Sequence, residues 1–190
     1  MKSESRFPLD SILHRSLMKH PRLLIAGIGN IFLGDDAFGV EVVSLLAQRK
    51  LPDGVRVIDF GIRGMDLAYA LLDGYDGVIL VDSVSRGGTP GTLYVLEPEL
   101  DGQTPDDANG GLEAHDLAPA RVLRWARSLG PLPPIRIVGC EPATLDPEDA
   151  AGGLSPAVAE AVAEALAIVE RLVRDWPGRR PTADSDSKSP

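Results

Sequence analysis

Residues 23–40 read LLIAGIGNIFLGDDAFGV and indicate the fold of the chain. An apolar run gives way to glycines, an asparagine and two adjacent aspartates, Asp35 and Asp36, and then becomes apolar again. This order is typical of a buried strand, a tight glycine turn and the start of a helix. Because the turn after a strand is where ligands bind in α/β folds, the segment predicts such a fold with acids at its site.

The composition limits the possible partners and compartments. The chain has 190 residues and a net charge of -9, so we expect one domain whose acidic surface repels nucleic acid. No run has the length and hydrophobicity of a membrane span or a signal peptide. The single cysteine, Cys140, cannot form an internal disulfide, which favours a reducing cytoplasm without membrane attachment.

Apolar segments with strand character alternate with helical patterns along the chain. Strands are predicted at residues 22–26, 55–58, 78–81, 92–96 and 135–138, and helices at residues 37–49, 65–72, 117–129 and 156–175. The fourth strand follows its predecessor closely, so we expect it to be an antiparallel edge. The alternation predicts a three-layer α/β sandwich, with a mostly parallel twisted sheet of about five strands flanked by helices.

The domain is expected to span residues 22–176. Residues 1–21 form a polar stretch that predicts a poorly ordered N-terminal extension, in which His14 and His20 would be solvated. Residues 177–190 have no large apolar side chain and predict a disordered tail.

Three acids follow the first three predicted strands: Asp36, Asp59 and Asp82. The carboxyl ends of parallel strands share one edge of the sheet, where ligands bind. Together with His115, which closes an acidic loop, Asp36 and Asp82 would offer oxygen and nitrogen ligands that suit a divalent first-row ion. Spacing alone leaves other interpretations open, namely a helix N-cap, a turn acid and a loop histidine.

Nucleotide binding and nucleophilic hydrolysis are less well supported. Gly27 and Gly29 begin a dinucleotide fingerprint, but Phe32 stands where the third glycine belongs. The two aspartates would repel a pyrophosphate at the helix N-terminus, and the turn has no lysine for a phosphate-binding loop. The chain has no G-x-S-x-G elbow, and Cys140, which follows an apolar strand, is predicted to be a buried core thiol.

Residues 27–40, GIGNIFLGDDAFGV, resemble the opening motif of the hydrogenase maturation proteases, endopeptidases that trim the C-terminus of the large subunit of nickel-iron hydrogenases. Further segments resemble later motifs of the family in the same order. These are DFGIRGMDL at 59–67, VILVD at 78–82 with PGT at 90–92, HDL at 115–117 and GCEP at 139–142. The resemblance covers about residues 22 to 175.

The resemblance implies a metal-contacting set, which maps onto Asp36, Asp82 and His115. The family has glutamate or aspartate at the first of these positions, and the neighbouring Asp35 is an alternative. Because adjacent side chains on a helix differ by about 100°, one of the two aspartates is expected to face the site.

The turn around Gly61 and Gly64 is a further candidate, for substrate binding. Glycine leaves room for an extended substrate tail close to the backbone. Arg63 would pair with the carboxylate of that tail or with one of its carbonyl groups. The alternatives are a tight strand-to-helix turn and a solvated arginine.

The implied function is the nickel-dependent removal of the C-terminal segment of a nickel-iron hydrogenase large-subunit precursor. The precursor would carry the nickel, which Asp36, Asp82 and His115 would sense; whether the protein also holds a metal of its own stays open. Either nickel polarises the scissile carbonyl or activates a bound water, or one aspartate acts as general base. A non-enzymatic nickel-sensing chaperone or binding module on the same fold is the alternative. We expect a monomer.

Overall fold

The computed structural model describes residues 21–98, 119–146 and 153–177. Within these ranges one five-stranded sheet has the order β2-β1-β3-β5-β4. The strands are β1 (Leu23–Ile28), β2 (Val55–Gly61), β3 (Gly77–Ser83), β4 (Leu93–Leu96) and β5 (Ile135–Cys140). The helices are α1 (Phe38–Leu46), α2 (Gly64–Leu71), α3 (Pro119–Leu129) and α4 (Pro156–Arg174), and a short 3-10 helix covers Gly34–Ala37.

Strands β1 and β3 are apolar, apart from Asp82 and Ser83 at the end of β3, because helices cover both faces of the sheet. All six residues of β1 and six of the seven residues of β3 are buried. Leu23 and Ile25 face a core layer that contains α1 and α4, whereas Leu24 and Ala26 face a layer that contains α2 and α3. The predicted three-layer architecture is therefore confirmed.

The antiparallel edge is also confirmed. β4 pairs antiparallel with β5, with Leu93 opposite Cys140, while the other strand pairs of the sheet are parallel. Among the described helices, none combines the length and the apolar character that a membrane crossing requires.

Helix α1 approaches the sheet closely because glycines lie at the contact. A Cβ atom on Gly39 would lie 2.2 Å from the carbonyl oxygen of Val81 and 2.3 Å from that of Ile28. A Cβ atom on Gly27 would lie 2.3 Å from a methyl carbon of Val43. The start of α1 is therefore pressed against β1 and β3, which places the preceding 3-10 helix beside the carboxyl ends of both strands.

Four strands, β1, β2, β3 and β5, continue past their predicted ends, and two of the three acids predicted to follow strands lie within them. β2 continues to Gly61, so Asp59 lies within the strand, opposite Gly27, and not behind it. An exposed acid is tolerated there because β2 is an edge strand. Helix α1 ends at Leu46 and not at residue 49, because the N–H groups of Gln48 and Arg49 bond to carbonyls three residues back and tighten the chain into turns.

Several predictions concern residues outside the described ranges. The N-terminal extension with His14 and His20, the acidic loop that ends at His115, and the C-terminal tail beyond residue 177 belong to this group. They stay predictions.

Candidate functional site

The order of the strands changes direction between β1 and β3. The chain passes from β1 to β2 on one side and then crosses back to β3 on the other side of β1. Ligands of open parallel sheets bind in the crevice beyond the carboxyl ends of the strands at such a point. Asp36 follows β1, and Asp82 is the penultimate residue of β3, so both acids lie at this position.

Asp36 lies in the 3-10 helix and is half-buried. Its Oδ2 accepts the N–H of Asn30 at 2.6 Å, and its Oδ1 accepts the hydroxyl of Ser83 at 2.9 Å. The interpretation of Asp36 as a helix cap is wrong, because Ala37 occupies the N-cap position of α1 and no side chain caps that helix. The carboxylate instead links the turn after β1 to the end of β3.

The turn that carries Asp36 depends on Gly29. Gly29 has a φ of 131°, and a Cβ atom there would lie 1.8 Å from the carbonyl oxygen of Asp36. Any side chain at position 29 would therefore collide with the backbone of Asp36.

Asp82 is a buried strand residue with 5% of its surface exposed, so its interpretation as a turn acid is wrong. Burial raises the pKa of Asp82 to about 8, and the nearby Asp36 carboxylate contributes to the rise, while a hydrogen bond with the backbone of Ser83 opposes it. Without a cation, Asp82 is mainly protonated at neutral pH. A bound cation would favour the ionised carboxylate.

Asp35 has a different environment from its neighbour. It is fully buried and accepts the N–H groups of Ala143 (2.7 Å), Thr144 (3.2 Å) and Ser155 (2.6 Å), as well as the hydroxyl of Ser155 (2.9 Å). These donors all lie in the connection between β5 and α4. Asp35 therefore holds the fold together at this point, while Asp36 contacts the end of β3.

Ser155 occupies the N-cap position of α4, with Pro156 at the first helical position as predicted. Its side chain makes no capping hydrogen bond, because its hydroxyl donates to Asp35. The side chain of Ser155 therefore binds Asp35 and does not cap α4, while the predicted start of the helix is confirmed.

Ser83 is a site residue that the sequence pattern does not indicate. Its hydroxyl bridges to Asp36 across 47 positions of sequence. The one signal is that it directly follows Asp82, between the VILVD and PGT segments that resemble the family's third motif. A serine at the end of a strand is otherwise too common to indicate a function.

The turn around Gly61 has a backbone that favours glycine and no clash at its side-chain position. Gly61 has a φ of 52°, in the left-handed region, and its carbonyl accepts the N–H of Gly29 at 3.1 Å. The nearest atoms to a Cβ there, on Asp59 and Gly29, lie at 3.6 Å. The left-handed backbone thus favours glycine, in agreement with the tight-turn interpretation, although a methyl group would fit there without a clash.

Arg63 contacts its own turn. Its Nε donates to the carbonyl of Phe60 at 3.1 Å, its guanidinium also donates to the carbonyl of Asp59, and Asp66 lies 3.6 Å from it. Gly64 is the first residue of α2 and donates its N–H to the carbonyl of Ile62 at 3.0 Å. Arg63 is exposed while it stabilises the turn, so it remains reachable for a ligand.

Cys140 is a fully buried member of the core, as predicted. Burial raises the pKa of the thiol to about 11, and the nearby Asp35 and Glu141 carboxylates contribute to the rise. A thiol in this state is a poor nucleophile at neutral pH.

The described part of the chain holds no group of three His, Cys, Asp or Glu side chains arranged to bind a metal ion. Asp36 and Asp82 lie within that part, whereas His115 lies outside it.

Two cavities, of about 680 and 480 Å³, lie at the opposite edge of the sheet from the acids, where β5 and β1 begin. Trp176 lines both of them.

Comparisons with known proteins agree with this architecture. The profile of the HycI family, described as hydrogenase maturation protease, matches residues 40–172. The hydrogenase 2 maturation protease of Escherichia coli is 36% identical over 157 residues, with 81% of this chain and 92% of the relative covered. The hydrogenase expression/formation protein HupD of Rhodobacter capsulatus is 34% identical over 161 residues, with 83% and 74% covered.

Solved structures give the same result. The hydrogenase maturating endopeptidase HybD from Escherichia coli matches with a TM-score of 0.65 at 35% identity, covering 80% of this chain and 92% of that chain. A hydrogenase 2 maturation peptidase from a Thaumarchaeota archaeon matches with a TM-score of 0.61 at 36% identity, covering 80% and 98%. The chain therefore belongs to the hydrogenase maturation protease family and is an endopeptidase, as the resemblance of its motifs implies.

Proposed function

We propose that this endopeptidase removes the C-terminal segment of a nickel-iron hydrogenase large-subunit precursor and that it requires the nickel carried by that precursor. The observation that carries the proposal is the placement of Asp36 and Asp82 side by side at the switch point of the sheet, one half-buried and the other buried. Two neighbouring carboxylates repel each other, and a cation between them removes that cost.

Nickel enters the site as part of the substrate. Asp36 and Asp82 supply carboxylate oxygens, and His115 supplies an imidazole nitrogen as the third contact. This donor set suits a divalent first-row ion and leaves coordination positions for the cysteines of the precursor. The same three residues distinguish a loaded precursor from an empty one, because without the cation Asp82 retains its proton.

The raised pKa of Asp82 limits which aspartate can act as general base. An acid with a pKa of about 8 carries a proton at neutral pH and cannot accept another, so Asp82 is not the general base of the metal-free site. Asp36 then takes the role of base, if an aspartate acts as one. In the other mechanism the nickel polarises the scissile carbonyl or lowers the pKa of a bound water.

The tail of the precursor is proposed to pass the turn around Gly61 and Gly64. The hydrogen bond from Gly29 to Gly61 places the loops after β1 and β2 next to each other. Both loops carry exposed apolar side chains, with Phe32 74% and Ile62 58% exposed. Exposed apolar side chains of this kind favour contact with another polypeptide. Arg63, at the same turn, pairs with a carboxylate or carbonyl of the tail.

The decisive experiment incubates the purified protein with a large-subunit precursor, with and without nickel, and measures the length of the precursor by mass spectrometry. We expect the shortened product only with the nickel-loaded precursor. Asp36→Asn, Asp82→Asn and His115→Ala should each prevent its formation. Asp53→Asn, an exposed acid at the opposite edge of the sheet, is the matched control and should process normally.

Two outcomes would contradict the proposal. Equal cleavage of nickel-loaded and nickel-free precursor would remove the nickel requirement. A stable complex without cleavage would favour the nickel-sensing binding module.

A further inference from the structure

Glu141, the first residue after β5, has a buried carboxylate that closes the loop after β3. It is 4% exposed. The carboxylate accepts the N–H of Arg86 at 2.9 Å and 3.1 Å on its two oxygens, the N–H of Gly87 at 3.0 Å, and the hydroxyl of Tyr94 at 2.8 Å. One buried side chain therefore fixes the backbone of the loop that begins directly behind Asp82 and Ser83.

The main chain of the same region adds further hydrogen bonds. Val84 donates its N–H to the carbonyl of Cys140 at 2.8 Å, Gly91 donates to the carbonyl of Glu141 at 2.8 Å, and Glu141 donates to the carbonyl of Thr92 at 2.9 Å. Both ends of the loop over residues 84–92 are thus attached to the end of β5.

The residues that follow Glu141 hold the other loop of the site. The N–H groups of Ala143 and Thr144 bond to the Asp35 carboxylate, and the N–H of Asp35 bonds to the carbonyl of Thr144 at 3.3 Å. Residues 141–144, which we call the exit segment, therefore contact the 3-10 helix that carries Asp36 and also the loop that follows Asp82.

We propose that the exit segment sets the position of Asp36 relative to Asp82, and that Glu141 is a positioning residue of the endopeptidase. The consequence for catalysis rests on the function proposed above. Glu141 acts through the loop backbone and Ser83, whose hydroxyl donates to Asp36. Displacing the loop would move Ser83 and loosen the contact between the two halves of the site.

The charge of Glu141 contributes to this role. Burial raises its pKa, but the N–H groups of Arg86, Gly88 and Gly87 and the hydroxyl of Tyr94 lower it by more, so that the pKa lies below its ordinary value. Glu141 is therefore ionised at neutral pH, and its hydrogen bonds are charge-assisted. Glutamine would turn one acceptor into a donor, which would then face the N–H of Arg86 or Gly87.

The test compares Glu141→Gln and Glu141→Asp with the matched control Glu97→Gln, whose side chain is exposed beyond β4. Precursor processing gives kcat and KM, thermal unfolding monitors the fold, and amide NMR monitors the backbone. For Glu141→Gln we expect kcat to fall by about tenfold to a hundredfold with KM nearly unchanged, as misplaced catalytic groups produce. The amide signals of Ser83 and Asp36 should shift. Glu141→Asp, which keeps both acceptor oxygens, should recover part of the loss, and Glu97→Gln should behave like the unmodified protein.

The outcomes separate this inference from the proposed function. If the unmodified protein processes no precursor, the proposed function fails, while the amide shifts of Ser83 and Asp36 still test the exit segment. A folded Glu141→Gln protein with unshifted amides at Asp36, or with unchanged kcat, would overturn the inference. If Glu141→Gln does not fold, Glu141→Asp takes its place, and we expect a smaller loss of kcat. Unshifted amide signals at Asp36 or an unchanged kcat in this variant would then overturn the inference.

Discussion

The hydroxyl of Ser83 donates a hydrogen bond of 2.9 Å to the carboxylate of Asp36, and so joins the turn after β1 to the end of β3. This bond connects the two strands at the position where their ligand site lies. Asp36 and Asp82 are thus held in one unit through a residue that has no acid-base chemistry of its own at neutral pH.

Ser83→Ala should therefore reduce processing with a modest loss of stability. Removing one hydrogen bond is expected to cost about 0.5–1.5 kcal/mol of unfolding free energy. Because Asp36 would no longer be held by Ser83, we expect kcat to fall by about tenfold. Ser85→Ala, an exposed serine of the same loop, is the control. Equal processing by the two variants would show that the Ser83 contact does not matter for catalysis.

Asp82→Asn should stabilise the protein at neutral pH while it abolishes processing. The folded chain holds the Asp82 proton up to about pH 8, whereas the unfolded chain releases it near the ordinary pKa of 3.8. The folded state then binds more protons between these values, so Asp82 makes the free energy of unfolding fall as the pH rises.

Asparagine removes this dependence. We expect a gain of at least about 1 kcal/mol at about pH 7, or about 2–4 °C in the melting temperature, and little gain below about pH 4. Thermal unfolding across this pH range provides the measurement. A variant that is less stable than the unmodified protein at neutral pH would contradict the raised pKa.

Asp35→Asn should mainly lower the stability of the protein, whereas Asp36→Asn should mainly abolish processing. At position 35 the amide nitrogen would face N–H donors in either orientation, which is expected to cost about 3 kcal/mol and about 6–12 °C in the melting temperature. At position 36 the amide can still accept from Asn30 and donate to the Ser83 oxygen, so stability should change by less than about 1 kcal/mol while processing is lost. Similar melting temperatures for the two variants would refute this division of roles.

Alanine should be tolerated at Gly61 but not at Gly29. At Gly61 the left-handed backbone costs about 1–2 kcal/mol for alanine, but its methyl group would lie at ordinary contact distances of 3.6 Å from its neighbours. At Gly29 the new methyl group would collide with the backbone of Asp36. We expect Gly61→Ala to be soluble with a slightly lower melting temperature, and Gly29→Ala to accumulate unfolded.

Gly61→Val would block the path of the substrate tail more fully, but a β-branched residue is strained in the left-handed region and would also destabilise the fold. Gly61→Ala therefore separates an effect on substrate binding from an effect on stability more clearly. A lowered rate of processing by folded Gly61→Ala would support the passage of the tail. Normal processing by this variant would contradict it.

The sequence predicts the features that local patterns encode. The continuous apolar runs of β1 and β3 indicate buried parallel strands, and the short spacing before β4 indicates an antiparallel edge. The ends of β2 and β3 are less predictable, because Asp59 and Asp82 interrupt the apolar pattern while the backbone pairing continues through them.

Contacts between distant parts of the sequence leave no such pattern. Asp35 bonds to Ser155 across 120 positions, and Glu141 bonds to Arg86 across 55. Neither acid differs in its local sequence from a solvent-exposed turn residue. Only the hydrogen-bond partners of the two carboxylates in the folded chain therefore distinguish Asp36, which faces β3, from Asp35.

The adjacency of Asp35 and Asp36 constrains how this chain can change during evolution. One carboxylate secures the connection to α4, and the next contacts the end of β3. Deleting one residue between Gly29 and Asp35 would put Asp36 in the place of Asp35, and inserting one would put Asp35 in the place of Asp36. Either change would leave one of the two duties without its acid. The length of this turn should consequently be under stronger selection than the identity of an exposed residue of the turn such as Ile31.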